Sequence, residues 1–159
     1  MSQFTRRTVI FGAVGLCLSA GRLSVAGGPE NKTIAWQPSL RDAHKLAVQQ
    51  NKPMMLIFGA EWCGFCKKLE KNTLTNPQLA KYINSTFVSV HIDVDEEQKV
   101  AQILDVKSLP CTIILSPNAD LLSRFEGCKQ PNEMYQKLVT AQKLLAEIQQ
   151  ASSQTRSTR

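Results

Sequence analysis

The chain of 159 residues has no hydrophobic run long enough to cross a bilayer as an ordinary helix. Its apolar stretch near the start, Val9 to Leu18, is too short for that. No internal repeat is visible, which excludes a solenoid or propeller. There is no second Cys or His pair at metal-ligand spacing to complete a zinc site around Cys63 and Cys66. No basic stripe interleaved with aromatics is present, so nucleic acid is not an expected partner despite a formal charge of +6. What remains is ordinary: 43% hydrophobic, 20% charged, and long enough for one domain with its own core.

The first 26 residues read as an export signal. Arg6 and Arg7 lead into the Val9–Leu18 stretch, and Ser24-Val25-Ala26 offers small residues to a signal peptidase. Thr5-Arg6-Arg7-Thr8-Val9-Ile10-Phe11 is similar to a twin-arginine motif, and Sec export is the alternative. Cys17 leaves with this leader. Removing Arg6, Arg7 and Arg22 with it lowers the formal charge to +3, since the leader holds no acid. Residues 27–32 form a polar linker, residues 33–150 the domain, and residues 151–159 a patternless tail expected to be disordered.

Within the domain, helical and strand patterns alternate. Thr33–Trp36 makes a short strand. Ser39 caps a helix to about Gln50 with Leu40, Ala43, Leu46 and Ala47 inward. Pro53–Gly59 is an apolar, buried strand, and a helix follows to about Leu74. Asn76-Pro77 opens a short helix. Phe87–Val94 alternates apolar residues with Ser89, His91 and Asp93, as a strand does. Asp95 and Gln98 have capping-box spacing before Val100, Ile103 and Leu104. Strands Cys111–Leu115 and Leu121–Glu126 flank a turn at Pro117–Asp120. Pro131 opens a last helix with Met134, Leu138, Ala141, Leu145 and Ile148 on one stripe. This order predicts an α/β domain, a mixed central sheet flanked by helices on both faces.

The chemistry lies in Ala60-Glu61-Trp62-Cys63-Gly64-Phe65-Cys66-Lys67-Lys68, where a strand ends and a helix starts. A Cys-x-x-Cys placed there reads as redox-active. Cys63, the exposed thiol at the helix start, is the expected nucleophile, because a helix N-terminus favours a thiolate. Cys66, one turn on, is the expected resolving thiol. A permanent structural disulfide is the competing account, but a four-residue loop gives little chain-entropy stabilisation.

Trp-Cys-x-x-Cys-Lys after an apolar strand resembles the thioredoxin superfamily. Val106-Lys107-Ser108-Leu109-Pro110 before an apolar strand strengthens the likeness, because that family keeps a cis-proline there. The resemblance spans about Trp36 to Leu145. Through Cys66 to Gln78 it is nearest the reductase-like branch, including the C-terminal periplasmic domain of DsbD-type proteins.

The resemblance implies a periplasmic thiol–disulfide oxidoreductase of the thioredoxin fold. It would act as a monomer on disulfide-containing exported proteins, with no cofactor beyond the Cys63–Cys66 disulfide. A reducing role would need a membrane electron donor of DsbD or CcdA type. The alternatives are a net oxidant or a non-catalytic peptide clamp. The resemblance also implies that Trp62, Leu109 and Pro110 contact substrate, Leu109 by its free backbone edge. Two departures stand out. Ile57 occupies the position of the family's buried aspartate, leaving His91 or Glu61 as candidate proton relays. Cys111 follows Pro110 directly, and Cys128 ends the neighbouring strand. The two are either a second disulfide or two separate thiols.

Overall fold

The computed structural model describes residues 33–157. The expected export signal, the expected linker and Cys17 lie outside the described residues. Five strands and five helices follow in chain order: β1 Trp36–Gln37, α1 Leu40–Gln50, β2 Met54–Gly59, α2 Gly64–Leu69, α3 Pro77–Thr86, β3 Val88–Asp93, α4 Gln98–Ile103, β4 Cys111–Leu115, β5 Leu121–Glu126 and α5 Pro131–Ser157. A π-helical turn, Glu70–Leu74, continues α2.

The strands form one mixed sheet in the order β1-β3-β2-β4-β5. β3 runs parallel to β1 and β2, β4 antiparallel to β2, and β5 antiparallel to β4. β2 is central because every residue of Met54-Met55-Leu56-Ile57-Phe58-Gly59 is buried, as a strand covered on both faces must be. Its alternation divides the core. Met55 and Ile57 point into a cluster with Leu69, Leu74, Leu79, Ile83, Met134 and Leu138, so α2, α3 and α5 cover that face. Met54, Leu56 and Phe58 point the other way, into a cluster with Ala43 and Ala47 of α1, Val90 and Ile113. The expected architecture, a mixed sheet with helices on both faces, is the one found.

Local chemistry sets the helix starts. The Ser39 hydroxyl accepts from Asp42 N–H at 3.1 Å, and the Asn76 side chain accepts from Leu79 N–H at 3.0 Å ahead of Pro77.

Two expectations fail here. Asp95 does not cap α4, because its carboxylate is held by Trp62, and the helix opens at Gln98 after Glu97. Ile103, the last residue of this short helix, is 82% exposed. The expected disordered tail is not what is seen at its start: α5 continues through residues 151–157. Ser152 Oγ donates to Ile148 C=O there.

Candidate active site

β2 delivers the chain to Gly59, and a tight turn follows in which Cys63 N–H donates to Ala60 C=O at 3.0 Å. Cys63 is the N-cap of α2. Its Sγ accepts the Cys66 N–H at 3.1 Å, and its C=O accepts from Lys67 N–H at 3.2 Å. Cys63 and Cys66 are joined by a disulfide, with Cα atoms 5.3 Å apart. That contact places a backbone N–H donor directly against Cys63 Sγ.

Cys63 was expected to be exposed. It is only 6% exposed and Cys66 3%, because Ala60, Val94 and Leu109 close over the pair. The exposed groups are its neighbours: Trp62 at 70% and Phe65 at 66%. Trp62 is held in place, its indole N–H donating to Asp95 Oδ2 at 2.8 Å. Asp95 is itself fixed through its N–H to Asp93 Oδ1 at 2.8 Å. Asp95 was missed as a site residue, since its capping-box spacing offered it another role.

Leu109–Pro110 is cis, as the motif led us to expect. Leu109 packs on the cysteine cluster, which brings that loop to the disulfide. Pro110 C=O accepts from Gly127 N–H at 2.8 Å, and Ser108 Oγ donates to the Glu126 carboxylate. Leu109 itself makes no backbone hydrogen bond among the described residues. A groove of about 500 Å³ runs beside the disulfide, lined by Phe65, Lys68, Ser108, Leu109, Glu126 and Cys128 among others.

The second disulfide is not formed. Cys111 and Cys128 are both free thiols. Cys111 lies opposite Glu126 in the hairpin register and points into the cluster with Phe58 and Ile113. β5 ends at Glu126, and Gly127, with φ 79°, turns the chain out of register. Cys128 then packs against the core on the other face of the sheet. Burial pushes the Cys111 thiol up, against the nearby Arg124 guanidinium, and Glu126 adds to the rise.

Of the two candidate relays, Glu61 is exposed at the turn before Trp62. His91 lies on β3 beside Ile57, and the carboxylate it meets is Glu70, at 3.1 Å from Nε2. Glu70 was not singled out from the sequence, although its position four residues after Cys66 was a usable signal.

The model of the thioredoxin-like domain family matches residues 40–142. The chain belongs to the thioredoxin-like family. Thioredoxin-1 of Drosophila melanogaster is 34% identical over 106 residues, 65% of this chain and 95% of that protein. The thiol:disulfide interchange protein DsbD of Shigella boydii is 37% identical over 70 residues, 42% of this chain but only 12% of that protein. The solution structure of a thioredoxin from Thermus thermophilus superposes with a TM-score of 0.62 at 25% identity, covering 67% of this chain and 85% of that one. The Cys63–Cys66 disulfide lies within the span that the family model matches. No cluster of possible metal ligands occurs among the described residues.

Proposed function

We propose that the protein is an exported thiol–disulfide oxidoreductase that reduces or isomerises disulfides in other exported proteins through Cys63-Gly64-Phe65-Cys66. The observation that carries this reading is the Cys63–Cys66 disulfide at the start of α2, flanked by two exposed aromatic side chains. Cys63 attacks the substrate disulfide, and Cys66 then displaces the reduced product. Trp62 and Phe65 supply apolar contact, and the unpaired backbone of Leu109 offers an edge for an extended peptide. Phe65 brings no charge between the cysteines, which favours a reducing or intermediate potential over an oxidising one. The leader, residues 1–26, supports export to a periplasm, and electrons would then come from a membrane donor of DsbD or CcdA type.

The reduction potential of residues 27–159, measured by equilibrium with glutathione or dithiothreitol, tests this. A value near about −270 mV fits a reductase; one near about −120 mV would make the protein an oxidant instead. Cys63→Ser should abolish turnover and leave substrate binding in place, whereas a pure peptide clamp would lose nothing.

A further inference from the structure

A substrate strand that pairs with the Leu109 backbone binds best if that edge is already held beside the disulfide, because ordering a loop on binding costs affinity. The edge lies in segment 104–110, which joins the end of α4 to β4. Leu104, Val106 and Leu109 pack against the cluster that includes Ala43 and Ala47 of α1. Apolar contact of this kind is non-directional, so it holds the segment to the sheet without fixing its position along it.

The fixing contacts come from β5, an edge strand of the sheet. Arg124 and Glu126 are two residues apart on it and share a face, that of their register partners Ile113 and Cys111. α4 ends with Asp105 N–H donating to Gln102 C=O at 3.0 Å and Val106 N–H donating to Ala101 C=O at 2.9 Å. Asp105, with φ 50°, makes the left-handed turn that such a helix end uses. The Leu104 and Asp105 carbonyls are taken by Arg124, whose Nη1 donates to Asp105 C=O at 2.8 Å and whose Nη2 donates to Leu104 C=O. Further along, the Glu126 carboxylate accepts from Ser108 Oγ, and Gly127 N–H donates to Pro110 C=O at 2.8 Å. One short stretch, Arg124 to Gly127, thus ties the segment at its entry, beside Leu109 and at its exit. The two charged side chains on the segment itself, Asp105 and Lys107, pair with each other at 3.0 Å. Leu109 keeps its side chain on the cysteine cluster and its backbone without a partner among the described residues.

We propose that Arg124 and Glu126 are positioning residues for polypeptide substrates: together they hold segment 104–110 so that the Leu109 backbone stays presented beside the Cys63–Cys66 disulfide. This deepens the oxidoreductase reading above and rests on it. An extended polypeptide lying along Leu109 uses the held edge. A small aromatic disulfide reaches Cys63 without it. Loosening the ties therefore weakens polypeptide binding and leaves the exchange of sulfurs as it was, which raises KM and spares kcat.

The test mixes pre-reduced protein of residues 27–159 with increasing concentrations of a disulfide-linked peptide or of a small aromatic disulfide, and follows oxidation of the Cys63–Cys66 dithiol. In Arg124→Met the half-saturating peptide concentration should rise about tenfold, the scale of one hydrogen bond to a charged group. Its limiting rate with the peptide, and its rate with the small disulfide, should match wild type. Arg124→Lys, which keeps a donor, should recover part of the loss. Ser108→Ala and Glu126→Ala should each raise the peptide value, and the double variant should raise it no further, since both remove one contact. Glu126→Gln, which still accepts from Ser108, should stay near wild type. An unchanged peptide value in Arg124→Met or in Glu126→Ala, or an equal loss on both substrates, would overturn the proposal. If Arg124→Met does not fold, the Ser108 and Glu126 variants decide alone, and additive effects there would overturn it. Failure of wild type to be oxidised by either substrate would instead remove the oxidoreductase reading, and the proposal with it.

Discussion

Replacing Cys111 and Cys128 singly and together by serine separates two pictures of this site by the pattern of stability changes. In the structure Cys111 is fully buried among Phe58, Ile113 and its neighbours. Serine there places a hydroxyl in an apolar site, at a cost of about 1–3 kcal/mol. Cys128 is half-buried on the opposite face, so its replacement should cost no more than about 0.5 kcal/mol. The two sites share no cluster, so the double variant should lose the sum. A Cys111–Cys128 bridge would give another pattern. A loop of that length contributes about 3 kcal/mol, each single variant would lose all of it, and the double would lose little more. Urea denaturation of the oxidised proteins reads the difference. Equal losses in both single variants, with no further loss in the double, would refute the assignment of two free thiols on opposite faces.

Three further outcomes follow from particular contacts. The Cys111 thiol is raised by burial, so its contribution to stability is whole below an unfolded thiol pKa of about 8.5 and is lost as pH rises through the native value. The urea midpoint of wild type should therefore fall more between pH 8 and 10 than that of Cys111→Ala; parallel curves would contradict the shift. Trp62→Ala should leave stability within about 0.5 kcal/mol, because the side chain is mostly exposed, while raising KM for a protein substrate far more than for a small disulfide. Equal effects on both substrates would take Trp62 out of partner contact. Leu138→Ala, at a fully buried position where α5 meets the sheet, should cost about 2–5 kcal/mol in thermal or urea unfolding.

The parts of the fold written in short-range patterns were legible. The β4–β5 hairpin follows from apolar runs on either side of Pro117–Asp120, and α1 and α3 follow from Ser39 and Asn76-Pro77. Cys63, Cys66, Trp62, Leu109 and Pro110 converge because β2 and β4 are neighbours in the sheet, so the end of one strand meets the start of the other. What failed depended on partners distant in sequence. Asp95 has the spacing of a cap, yet a tryptophan 33 residues away holds its carboxylate. Cys128 sits where hairpin register would bring it near Cys111, but the left-handed turn at Gly127 sends it to the other face. Glu70 looks like any helix-surface acid until β3 places a histidine in front of it. The π-helical turn has no sequence signature in Glu70–Leu74.

The distribution of exposure around the disulfide bears on how a partner would be chosen. Cys63 and Cys66 are almost closed off, while the neighbouring Trp62 and Phe65 rings stand in water. A small thiol or disulfide can gain little from Trp62 and Phe65. A polypeptide that covers both rings and lies along Leu109 gains apolar burial worth roughly 25 cal/mol per Å². That energy arises beside the sulfurs rather than at them, so it can tolerate varied sequences around the substrate disulfide. The Trp62–Asp95 hydrogen bond fixes one ring before any partner arrives, which removes part of the ordering cost of binding. Selectivity would then come from the groove side, where Lys68, Glu126 and Cys128 line the path leading away from Phe65. Changes there should alter which partners are accepted and leave exchange with small disulfides unchanged.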